Sequence, residues 1–132
     1  MNIWILSAGA LALLTTAVHI FAGQVDPVRA FLRCNLEEVP KATLLACWHI
    51  VSVVLLFCGV ILSLVGWYAA SQFYLAVLLI GALYVLFAMV FAFVGAYFFK
   101  ANALIKLPQW CLLLPVGLLA ICGSYTALPP AL

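Results

Sequence analysis

Two imidazoles sit where an apolar chain has least use for them. His19 lies in TTAVHIFAG, residues 15–23, and His49 in ACWHIVS, residues 46–52; they are the only histidines, and each interrupts a long hydrophobic run. A histidine can ligate a metal, hold a haem iron, pass a proton or donate a hydrogen bond. Three functional readings follow for the pair. As axial ligands, His19 and His49 would hold a haem b between two helices. With Cys47 or Cys34 adding thiolate, they would form a transition-metal site. As an intramembrane polar pair, they would relay protons or line a pocket. The plainer account is two neutral imidazoles, hydrogen-bonded to Thr15, Thr16, Ser52 or a backbone carbonyl. Haem lacks a clear arginine near the site to meet its propionates. The metal reading is weakened because Cys47 and His49, two apart on a helix, point in different directions. The expectation is therefore no cofactor and no catalysis, with His19 and His49 as the candidate cofactor-binding residues.

The five cysteines carry little of this chemistry. Cys47 and Cys58 are eleven apart, as are Cys111 and Cys122, so each pair shares a helical face. There is no C-x-x-C, the spacing that a thiol oxidoreductase uses. Small apolar packing is their simplest role.

Composition decides the class of protein that carries these side chains. Charged residues make up 6% of the chain, hydrophobic residues 70%, and mean hydropathy is +1.38. About a quarter of residues are charged in ordinary globular domains, so this chain cannot cover a water-facing surface. A pI near 8.3 is then no nucleic-acid signal. A hydrocarbon core of about 30 Å needs about 20 apolar residues in a helix. Four segments meet that length, at about 3–23, 42–66, 72–99 and 107–127. The expected fold is an all-α integral membrane protein, a single domain over residues 1–132 forming a four-helix antiparallel bundle. Only WYAAS separates the second and third spans, so these two are expected as antiparallel neighbours. The first segment is not expected to be a cleavable signal, because MNIW lacks a basic residue.

Orientation follows from the five basic residues. Arg29, Arg33 and Lys41 belong to the first loop, Lys100 and Lys106 to the third, and none to the second loop or the ends. The positive-inside rule puts loops 24–41 and 100–106 in the cytoplasm and both termini outside. Trp4, Trp67, Tyr68 and Tyr125 would mark the outer interface and Trp110 the inner one. In the first loop, Asp26 before Pro27 has the form of an N-cap and N1 pair opening a short interfacial helix, about 27–34.

Small residues place the histidines. Ala8, Ala12, Thr15 or Thr16, and Gly23 share a face with His19; Ala42, Ala46, Ser52 and Ser63 form a stripe near His49; Gly81, Ala88, Ala92 and Gly95 form a third, with Tyr84 among them. Such stripes mark helix contacts in a membrane, so both imidazoles are expected to point into the bundle. At 1.5 Å per residue His19 lies about 6 Å from Gly23 and His49 about 10 Å from Ala42, a similar depth.

Absences narrow the function. No span carries Asp or Glu, nor an arginine ladder, so a carboxylate-driven multidrug transporter and a voltage sensor are excluded. No nucleophile elbow, phosphate loop or zinc-protease motif occurs. The HxxxG element closing the first helix (HIFAG), the arginine-bearing loop and the WH pair of the second helix resemble small four-span bacterial inner-membrane proteins of unknown function. That resemblance covers about half the chain and implies architecture and location, not activity; Gln24 stands where such proteins often carry an acidic residue. The expected partners are the lipid bilayer and a second copy or larger membrane complex, with no nucleic acid.

Overall fold

The computed structural model describes residues 1–126; Ala127, the expected end of the fourth span, lies outside them. Among the described residues the chain is all helix and turn. Three helical stretches are long and apolar enough to cross a membrane, Ile3–Arg33, Glu38–Tyr68 and Ser71–Lys106, followed by a shorter apolar helix, Trp110–Tyr125.

Helix α1 (Ile3–Gly23) begins on Asn2, whose side chain accepts hydrogen bonds from the backbone N–H groups of Trp4 and Ile5. The helix does not stop at Gly23. A π-turn, Gln24–Val28, carries it through Pro27 into α2 (Arg29–Arg33). Proline lacks an N–H and its ring would strike the carbonyl four residues back, and a wider turn relieves both conflicts. The expected N-cap at Asp26 is thus corrected: the segment is entered from Gly23 in the α conformation, with no side-chain cap. Helix α3 (Glu38–Tyr68) also starts earlier than expected. Pro40 falls in its first turn, where a missing N–H is free of cost, so Lys41 lies on the helix and not in a loop.

Helix α3 ends on Ala69 in the left-handed region, φ 50° and ψ 41°. A short 3-10 turn, Ser71–Phe73, leads into α4 (Tyr74–Phe99). After α4 the chain reverses at Lys100, φ 50°, and α5 (Ala103–Lys106) folds back against α4 before α6 (Trp110–Tyr125).

Close approach of backbones sets the bundle order. A Cβ on Gly9 would meet the Ser63 backbone nitrogen at 2.5 Å, and one on Gly66 would collide with the backbone of Leu6. Those contacts seal α1 against α3. On the other side a Cβ on Gly117 would lie 2.7 Å from the Gly81 carbonyl oxygen, sealing α4 against α6. Helices α1 and α6 join the two pairs. Helices α3 and α4 are antiparallel but are not each other's main partners, which corrects the expectation drawn from their short loop. Where they meet, the buried Tyr84 hydroxyl reaches the Leu55 carbonyl at 3.4 Å. A tyrosine between two helices holds their backbones apart, whereas glycine lets them touch.

Two ends result. At one, Asn2 ties three helices: its N–H donates to Gly66 O at 2.8 Å and its Nδ2 to Gly123 O at 2.9 Å. Exposed Trp4, Trp67, Tyr68 and Tyr125 gather near that end. All five basic residues fall at the other.

Candidate functional site

The α1–α3 register that sets Gly66 on Leu6, Gly9 on Ser63 and Gly59 on Leu13 continues to the basic end. There it brings Trp48 onto the last turns of α1. The indole stacks on the His19 imidazole with ring centroids 3.9 Å apart and 15° between planes. Its far edge lies over Gly23, so closely that a Cβ there would overlap the ring. His19 and Gly23, one turn apart, therefore form a seat for one tryptophan. Aromatic pairs contribute about 0.5–1.5 kcal/mol beyond area burial.

The inward placement expected of both imidazoles holds for His19 and fails for His49. His19 is half-buried, and its Nε2 is a buried polar atom without a hydrogen-bond partner among the described residues. His49 is exposed. It follows Trp48 directly, so it projects about 100° further round the helix. If Trp48 takes the inward position, its neighbour must turn away. The small-residue stripe near His49 divides in the same way. Ala42 and Ala46 are exposed, Ser52 and Ser63 half-buried, and the buried face of α3 is instead Leu55, Cys58, Gly59, Leu62, Val65 and Gly66. Of the other two stripes, Ala8, Ala12, Thr15 and Thr16 are buried as expected, as are Gly81, Tyr84, Ala88 and Gly95, while Gly23 and Ala92 are half-buried.

The hydroxyls proposed as partners for the imidazoles are engaged elsewhere. Thr15 donates to Leu11 O, Thr16 to Ala12 O and Ser52 to Trp48 O, at 2.8 to 3.0 Å. Each is a bond to the carbonyl four residues back on the same helix. Of the cysteines, Cys58 is buried, and Cys34, Cys47, Cys111 and Cys122 are exposed. No group of three metal-ligating side chains forms among the described residues.

Two positions that hold this arrangement together are not evident from residue types alone. Trp48 stands in the sequence only as half of the WH pair, although Gly23 four residues after His19 leaves a ring-sized gap. Asn2 ties its helix to two others through hydrogen bonds to Gly66 and Gly123.

Helical architecture and the His19–Trp48–Gly23 contact define a membrane helical bundle whose first hairpin is closed by an aromatic stack. No family model, curated protein or solved structure matches the chain.

Proposed function

We propose that this is a non-catalytic, four-span component of a bacterial inner membrane, with both ends of the chain extracytoplasmic, that acts by binding other membrane components. The observation that carries the reading is the destination of its intramembrane hydroxyls. Thr15, Thr16, Ser52, Ser63 and Ser124 all donate to the carbonyl four residues earlier on their own helix. A transport path or catalytic pocket needs polar groups aimed at a ligand, and here the donors of these five hydroxyls are directed to backbone. Helix α6, with 16 residues, is about 24 Å long. That suffices for a fourth span where the bilayer thins or flanking residues complete the crossing.

Orientation is tested with a reporter enzyme active only in the cytoplasm. Inserted at Asn35 it should be active, and at Ser71 silent. The reverse pattern would overturn the orientation. The function is tested by crosslinking in the native membrane through a photoreactive group at His49, on the exposed face. A discrete adduct with a second copy or another membrane protein supports the reading, and lipid adducts alone oppose it.

A second reading keeps one specific observation in its favour. The unpartnered His19 Nε2 favours a haem, metal or proton-handling role as the alternative, carried by His19, because His49 lies on the exposed face and does not share its surroundings. An absorption spectrum and elemental analysis of the purified protein decide it. A Soret band or stoichiometric metal would replace the accessory reading.

A further inference from the structure

At the basic end, α4, α5 and α6 enclose a groove of about 190 Å³ lined by Ala88, Met89, Ala92, Leu104, Trp110 and Leu114. Its floor is low because Ala88 and Ala92 are small, and its upper wall is set by one bond. Trp110 Nε1 donates to Leu104 O at 3.0 Å, which holds the indole against α5 with its own polar atom satisfied. Gly95 lets Ala103 pack at a distance a Cβ would narrow to 3.2 Å, drawing α5 down onto α4. The groove is thus built by the backbone reversal at Lys100 and not by a chance gap between side chains.

Charge identifies what fits it. Lys100 and Lys106 bracket α5, both are exposed, and the chain has no acidic residue beyond Glu38. Tyr97, Phe98 and Phe99 stand beside Lys100 as an aromatic group, with Tyr97 and Phe98 edge to face at 5.1 Å. Aromatic and basic side chains together mark the level of lipid headgroups. Counting down α4, Ala92 lies about 12 Å and Ala88 about 18 Å from Lys100, the depth of an acyl chain below its headgroup. A cationic rim above an apolar furrow at that depth is complementary to one kind of occupant.

We propose that this groove is a binding site for an anionic phospholipid, one acyl chain lying over Ala88 and Ala92 against Trp110, and the phosphate held between Lys100 and Lys106. The site goes beyond the accessory role and does not depend on which side of the membrane the basic end faces.

The test uses the full chain reconstituted in vesicles of phosphatidylcholine containing either phosphatidylglycerol or phosphatidylcholine with brominated acyl chains, at equal mole fraction. Bromine quenches nearby tryptophan, and subtracting the signal of a Trp110→Phe variant isolates Trp110. Brominated phosphatidylglycerol should occupy the site about fivefold more readily per lysine engaged. Lys100→Gln with Lys106→Gln should bring the two lipids to equality, and Ala92→Leu should weaken quenching by both while the helical circular dichroism is unchanged. Equal quenching by the two lipids in the unaltered protein would overturn the proposal. So would a preference that survives loss of both lysines.

Discussion

His19 combines a stacking surface with an unsatisfied nitrogen, and the two can be separated by substitution. Phenylalanine keeps the aromatic face toward Trp48 and removes the orphaned Nε2. His19→Phe should therefore leave stability unchanged or slightly raised, because a buried polar atom without a partner costs about 1–3 kcal/mol. His19→Ala removes the stack and leaves a gap, and should destabilise by about 1–3 kcal/mol. Denaturation in mild detergent, followed by tryptophan emission, compares them. Equal losses for Phe and Ala would show that the nitrogen is satisfied by something the ring cannot replace. Gly23 supplies the complementary test. Gly23→Leu should expel the Trp48 ring, shift its emission and cost about 1–3 kcal/mol through overpacking. Emission identical to the unaltered protein would mean that Trp48 has room to spare.

Helix ends hold a different kind of energy. Ala69 and Lys100 both have φ of 50°, a region where a side chain is strained and glycine is not. Ala69→Gly should stabilise the fold, because a left-handed C-terminal position strains alanine by roughly 1 kcal/mol, partly offset by the freedom glycine gains when unfolded. Thermal unfolding in detergent measures the sign; a lower midpoint would mean that α3 ends differently in solution. Between helices the requirement is reversed, and small residues must stay small. Gly117→Leu would drive a side chain into the Gly81 carbonyl and Val85, and should cost about 1–3 kcal/mol or more. Leu79→Ala, on the exposed face of α4, should be tolerated. Equal tolerance of both changes would disprove the α4–α6 packing.

Across the whole molecule, helix lengths and charges have a shared consequence. The stretches Ile3–Arg33 and Glu38–Tyr68 have 31 residues each, about 46 Å, against a hydrocarbon core of about 30 Å. Standing upright, their hairpin would project beyond the apolar layer at the basic end, where Arg29, Arg33 and Lys41 extend past the His19–Trp48 stack. In that arrangement the stack would lie near the boundary between lipid tails and headgroups, where an imidazole is cheaper to keep than in the bilayer centre. Limited proteolysis of protein in vesicles should cut first near Asn35, at the tip of this hairpin, and last near Gly117. Early cleavage inside α6 would show that the fourth helix is not embedded.

Composition alone determines that the chain is helical and apolar, with segments long enough to cross a membrane, because a run of about 20 uncharged residues has few other stable states. Charge placement along the chain also groups the basic residues at one end, since antiparallel helices with short connections must alternate. Which helices touch was beyond either. The loop between α3 and α4 suggested a close pair, yet Gly9 and Gly66 draw α3 to α1 while Tyr84 keeps α4 at a distance. The histidines show the same limit. A stripe of small residues tells which face can approach another helix, but Trp48 and His49 are adjacent, and only one of them can occupy the contact. The gap left by Gly23 selects the indole, a choice made by the shape of a second helix and therefore by tertiary structure.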